Sequence, residues 1–144
     1  MRELLIFALV VVVGGLVLGA LWSQRGRAPG VKMGRLAPPG PRPNTVCSEP
    51  DTPGDAYVEP LPVGFARARD AVLAAGGTIV TETDSYLAAT FASPALRFVD
   101  DLELRDAGDG RTHIRSASRV GFSDMGTNRK RVARIRELAI ASAD

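Results

Sequence analysis

Leu4 to Trp22 is an uninterrupted run of nineteen apolar or glycine positions without one charge, and no other stretch limits the architecture as firmly. At about 1.5 Å of rise per residue, such a run coils into a helix of roughly 28 Å, the thickness of a bilayer's hydrocarbon core. The run predicts a retained transmembrane helix. The rival is a cleaved signal peptide, whose apolar region is usually shorter. Leu18-Gly19-Ala20 also places Leu where a small residue is wanted before cleavage. Trp22 suits the interfacial zone. Within the run, Gly15 and Gly19 stand one turn apart in a GxxxG arrangement that lets a second helix approach closely, so they are the candidate helix–helix contact, with another membrane protein or a second copy as partner. The bland alternative is that glycine is simply common in membrane helices.

Charge divides unevenly along the rest. Residues 1 to 43 carry Arg2, Arg25, Arg27, Lys32, Arg35 and Arg42 against Glu3, a balance of +5, whereas residues 44 to 144 hold twelve basic side chains against fifteen acids, −3. The basic pI of about 9.1 therefore belongs to the membrane flank, and a nucleic-acid partner is not expected, since phosphate-backbone binding needs a basic domain surface. Arg25, Arg27, Lys32 and Arg35 follow the apolar run closely while only Arg2, the amino terminus and Glu3 precede it, and positive-inside counting then favours a cytoplasmic domain. Cys47 is alone, which rules out an internal disulfide, and with His113 the single histidine, no Cys/His metal cage is expected. No cofactor is implied.

Three regions follow: an anchor over 1 to 22, a Pro/Gly-rich linker over 23 to 43 expected to be an extended tether, and a soluble domain over 44 to 144. In the domain, Tyr57-Val58 suggests a short first strand. Leu61-Pro62 is expected to open a helix running to about Ala75, with Leu61, Phe65, Ala68, Val72 and Ala75 on one stripe and Gly76-Gly77 as its stop. Thr78–Glu82 and Tyr86–Phe91 read as one hairpin. Phe98–Asp106 and Thr112–Val120 read as a second, around Ala107-Gly108-Asp109-Gly110.

Alternation within the second hairpin puts Phe98, Leu102, Leu104, Ile114 and Val120 on one face and Asp101, Glu103, Arg105, His113, Arg115 and Arg119 on the other. Setting Leu104 opposite Ile114 places Glu103 opposite Arg115 and Asp100 opposite Ser118. A last amphipathic helix, from about Asn128 to Ala143, carries Val132, Ile135, Leu138 and Ala139 on one stripe. The expected fold is α+β: an antiparallel sheet in the order β-α-β-β-β-β-α, both helices on one face, behind one transmembrane helix.

Residues 115 to 131 gather Arg115, Arg119, Arg129, Lys130 and Arg131 where a strand runs into a helix. Cations in a first helical turn oppose the macrodipole, at about 0.3 to 1 kcal/mol each when exposed, so anionic groups are expected beside them. One reading is internal: Asp100, Asp101, Glu103 and Asp124 neutralise the arginines, and Thr127 or Asn128 caps the helix. The other is a site in which Arg115, Ser116, Ser118, Arg119, Asp124, Asn128, Arg129 and Arg131 bind a partner or an anion, with free N–H groups at the helix start. Ser116 and Ser118 share the inward face with Ile114 and need partners there. His113 reads as a solvated strand residue, and no glycine-rich phosphate loop, HExxH or GxSxG is present.

Phe98-Val99-Asp100-Asp101, followed by Arg115-Ser116-Ala117-Ser118-Arg119-Val120-Gly121, Ser123-Asp124, Gly126 and Asn128-Arg129-Lys130-Arg131, closely resembles the signature of the domain of unknown function 1499 family. The resemblance extends from Pro43 to the C-terminus. It implies a bacterial or plastid protein held at a membrane by a helix or a lipid, with no assigned activity. Where the anchor is a lipid the domain lies outside the cytoplasm, so resemblance and charge count point to opposite sides of a bacterial inner membrane. Family members often read Asn-Cys-Val-Ser-Ser near the domain start. Here Asn44-Thr45-Val46-Cys47-Ser48 moves the cysteine by two places, which argues against a thiol nucleophile.

The function expected is that of a membrane-anchored, non-catalytic binding module, an accessory or scaffold subunit of a membrane assembly. The alternatives are a receptor for a small anion or lipid headgroup, or an enzyme built on Ser116, Ser118, Asp100 and Asp124.

Overall fold

The second hairpin is the centre of the molecule, and everything else is arranged on its two faces. The computed structural model describes residues 1–141. A helix α1 (Arg2–Ser23) is followed by a small hairpin, β1 (Val31–Lys32) and β2 (Arg35–Leu36), then β3 (Thr45–Cys47), α2 (Phe65–Ala74), β4 (Thr78–Glu82), β5 (Tyr86–Ala92), β6 (Val99–Asp106), β7 (Thr112–Ser118) and α3 (Thr127–Ala141). The expected end of the last helix at Ala143 lies outside the described residues. Strands β3-β7-β6-β5-β4 form one antiparallel sheet. The fold is therefore α+β with the expected β-α-β-β-β-β-α order, and Leu104 faces Ile114 while Glu103 faces Arg115.

One face of the sheet carries the apolar core. Leu102, Leu104 and Ile114, all 0% exposed, pack with Leu87 and Ala89 of β5 against Ala68, Ala71 and Val72 of α2 and Val132, Ile135 and Ala139 of α3. Burial at about 25 cal/mol per Å² of apolar surface makes this layer the main source of stability. Both helices meet the sheet with the stripes that their three- and four-residue spacing marks.

Several local expectations are corrected. The first strand of the sheet is Thr45–Cys47, not Tyr57-Val58, and Tyr57 makes only an isolated parallel bridge to Cys47. Helix α2 begins at Phe65, because the N–H and C=O of Leu61 both bond to Thr112 and the Val63 carbonyl accepts from the Thr112 hydroxyl, which ties residues 61 to 63 to β7 through a bend and keeps them out of the helix. Residues 23 to 43, expected as an extended tether, fold back onto the domain: β1 and β2 pair, and Leu36 is only 2% exposed. Phe98 does not join the core. Its ring lies against α1, where a Cβ on Gly19 would sit 3.3 Å away.

Helix α1 is long and apolar enough to cross a membrane, a property it shares with signal sequences. Most of its surface is exposed, but its last turn is docked. Ser23 is fully buried, its hydroxyl accepts the Val99 N–H at 3.0 Å, and its carbonyl accepts Arg119 at 2.7 Å.

Candidate functional site

Strand β7 separates the charged stretch into two clusters, because successive side chains leave a strand on opposite faces. Ser116 and Ser118 face the helices, while Arg115 and Arg119 face away. The single site expected over residues 115 to 131 is therefore two clusters, with Arg129 at a third position.

On the helix face the cluster is organised by Asn128, which is 0% exposed. Its amide nitrogen, with two N–H bonds to give, lies within hydrogen-bond distance of three acceptors, the Asn44 carbonyl at 3.0 Å, the Ser118 hydroxyl at 3.0 Å and the Asp124 carboxylate at 2.7 Å. Its amide oxygen accepts from Ser116 at 2.6 Å and from Arg131 at 2.7 Å. Arg131 donates in addition to Ser116 at 3.0 Å and to Asp100 at 2.7 Å, and its guanidinium lies 4.7 Å from the centroid of the Phe91 ring. Ser116, Ser118, Asp100, Asp124, Asn128 and Arg131 thus form one closed net at the edge of the core. Each hydroxyl has a partner, as buried polar atoms require.

Asp124 differs from expectation. It pairs with no arginine; it accepts the N–H groups of Gly126 and Asn128 at 3.0 and 2.8 Å and so caps α3, the role expected of Thr127 or Asn128. Burial pushes its carboxyl up, but those backbone donors and the Asn128 amide outweigh this and leave it below the ordinary carboxylate value. The helix start expected to offer free N–H groups to a ligand is occupied by this carboxylate.

On the outer face three ion pairs lie side by side. Arg119 grips Asp101 with two bonds of 2.8 and 2.6 Å, and Arg115 meets Glu103 at 2.9 Å. Glu103, 0% exposed, also accepts the Tyr86 hydroxyl and the Gly30 N–H, each at 2.8 Å. Burial and the neighbouring Glu103 charge raise the Tyr86 phenol. Arg105 binds Glu49 through bonds of 2.9 and 3.1 Å, and Glu49 accepts the Leu36 N–H at 3.0 Å. Burial raises the Glu49 carboxyl, but Arg105 and the Leu36 donor more than reverse this and leave it below its ordinary value. His113, expected to be solvated, is only 13% exposed in its side chain, with its Nδ1 3.1 Å from the Ser48 hydroxyl. Gly26 is needed where it stands: a Cβ there would come within 2.7 Å of the Arg119 Cδ.

Beside these pairs lies a groove of about 530 Å³ lined by Arg27, Arg42, Asn44, Asp101, Arg115 and Arg119 among others. The Nε of Arg115 is buried and has no hydrogen-bond partner. Arg129 stands apart, donating to the carbonyls of Tyr57 and Asp55 at 3.0 and 2.6 Å and so holding the 55 to 57 segment against α3. It lines a second groove of about 420 Å³ with Pro41, Asp55, Ser123 and Asp124. Cys47 is fully buried with its thiol pushed up by that burial, and His113 turns to Ser48 instead. Among the described residues, no group of three His, Cys, Asp or Glu is placed to hold a metal ion. Gly15 meets nothing within 4 Å, while Gly19 faces Phe98.

Sequence reasoning missed Ser23, Gly30, Asn44, Glu49 and Tyr86 as members of these clusters. Tyr86 carried a signal: it opens β5 opposite Arg105, one strand from the predicted hairpin. Gly30 takes part through its backbone alone, and no residue type announces that.

No curated protein and no solved structure matches this chain. A family model does, over residues 35–138, from the first residue of β2 almost to the end of α3. The chain belongs to the family described as Protein of unknown function (DUF1499).

Proposed function

We propose that this protein is a single-pass, membrane-anchored, non-catalytic binding module that serves as an accessory or scaffold subunit of a membrane protein assembly. The observation that carries this reading is the locked junction between α1 and the domain. Arg119 joins the Ser23 carbonyl to Asp101, the Ser23 hydroxyl takes the Val99 N–H, and Phe98 packs on Gly19. The rest of α1 leaves Leu4, Phe7, Leu18 and Trp22 exposed, a surface suited to lipid or to a neighbouring helix. A rigid junction has a use in a module that must present its domain to a neighbour at a fixed height and angle. The closed net around Asn128 supports binding over catalysis. Ser116 donates to an amide oxygen and accepts from Arg131, so no base is set to take its proton.

The test is direct. Under alkaline carbonate washing the full chain stays with the membrane pellet. In mild detergent it runs on a native gel in a complex larger than itself, and crosslinking ties it to one membrane protein. Release by carbonate, or migration as a lone monomer at physiological abundance, defeats the proposal.

A further inference from the structure

The outer-face groove holds more positive charge than the fold uses. Of its four arginines, Arg119 is committed to Asp101 and Ser23, and Arg115 gives one Nη to Glu103. Arg27 and Arg42 are exposed, and among the described residues their side chains form no ion pair or hydrogen bond. They come from separate segments, one just after α1 and the other just before β3, yet they line the same opening. Asp101 is the one acid among the lining residues, and both its oxygens are taken by Arg119. Two guanidinium groups thus stand unneutralised over a floor that includes Arg115, whose buried Nε has no acceptor. Guanidinium forks match phosphate oxygens two at a time, and about 530 Å³ is within the range of sites that enclose small ligands.

We propose that this groove binds a phosphate group, held between Arg27 and Arg42 with Arg115 behind. Position favours a phospholipid headgroup as its source. Arg27 follows the last residue of α1 by four positions, and Arg119, on the groove wall, holds the Ser23 carbonyl at 2.7 Å. In a chain that spans a bilayer through α1, this opening lies in the headgroup layer. Phe122, 72% exposed, follows Gly121, whose carbonyl accepts the amide of the groove residue Asn44 at 3.1 Å. An exposed apolar side chain one residue from that contact fits the same boundary. The lipid source rests on the anchored reading above; the phosphate site does not.

The experiment uses the full chain in a neutral sugar detergent, titrated by calorimetry with inorganic phosphate, dioctanoyl phosphatidylglycerol and dioctanoyl phosphatidylcholine. The anionic lipid is expected to bind saturably and about ten-fold or more tighter than the zwitterionic one. The Arg27→Glu/Arg42→Glu variant touches no internal bond, so it keeps the thermal midpoint of the parent and loses about ten-fold or more in affinity. Arg134→Glu, exposed on α3, leaves binding unchanged. Inorganic phosphate binding as tightly as the lipid, with the same loss in the double variant, upholds the phosphate site and assigns it a soluble source. No binding of inorganic phosphate or of the anionic lipid, equal binding by the double variant, or an equal loss in Arg134→Glu overturns the proposal. Carbonate extraction is scored separately, so a failed anchor and a failed groove are told apart.

Discussion

Leu104 with Ile114 and Glu103 with Arg115 are neighbouring rungs of the same two strands, and both are almost completely withdrawn from water, yet they are buried by different means. The leucine and isoleucine lie under two helices whose apolar stripes match them. The glutamate and arginine lie under a chain segment with little regular structure, which reaches Glu103 with the Gly30 backbone N–H and Glu49 with the Leu36 N–H. The first kind of burial is driven by apolar area and tolerates any partner of suitable volume. The second depends on complete satisfaction of charge, because a buried ion with a missing partner costs several kcal/mol. The helix face thus supplies stability, and the outer face specifies where the segment after α1 must lie.

This contrast is open to attack in order of expected effect. Glu103→Leu leaves Arg115, Tyr86 and Gly30 without their acceptor and is expected to cost about 3–5 kcal/mol in chemical denaturation. Glu103→Leu/Arg115→Leu is expected to recover the part due to the unpaired Arg115 charge, while the Tyr86 hydroxyl and the Gly30 N–H still lack an acceptor. A cost under about 1 kcal/mol for the single change would mean that the outer face is not ordered by its charges. Asn128→Ala removes the hub of the helix-face net and is expected to cost about 2–3 kcal/mol, since Ser116, Ser118 and the Asn44 carbonyl lose partners together. Asp124→Ala removes the cap of α3 at about 1 kcal/mol at pH 7. The Asp124 carboxyl is held below its ordinary value, so its contribution is present above about pH 4 and fades as the pH falls through the folded-state value. The gap between Asp124→Ala and the parent should therefore close on acidification, and a gap that widens would contradict the capping role. Arg134→Ala, whose partner Glu137 is equally exposed at 3.4 Å, should change stability by less than about 0.5 kcal/mol.

The same contrast explains what the residues alone disclosed. Period-two alternation in β6 and β7 gave the register, since a slip of one residue would move every side chain to the wrong face. Period 3.6 marked the stripes of both helices. Three things were hidden. Alternation shows that Asp101, Glu103 and Arg115 share a face but not that the face is covered, because the cover works through backbone donors and the short strands β1 and β2. Residues 45 to 47, three positions ahead of a proline, are too few for a period to register. Contiguity in sequence also suggested one site over residues 115 to 131, although a strand sends Arg115 and Ser116 to opposite sides. Gly19 was legible as a place of close approach but not as the seat of Phe98.

The Arg119 bridge has a mechanical consequence. A guanidinium that holds the final carbonyl of α1 while paired with a β6 carboxylate fixes the point at which the helix leaves the sheet. A change that loosens Arg119 is therefore felt by both elements at once.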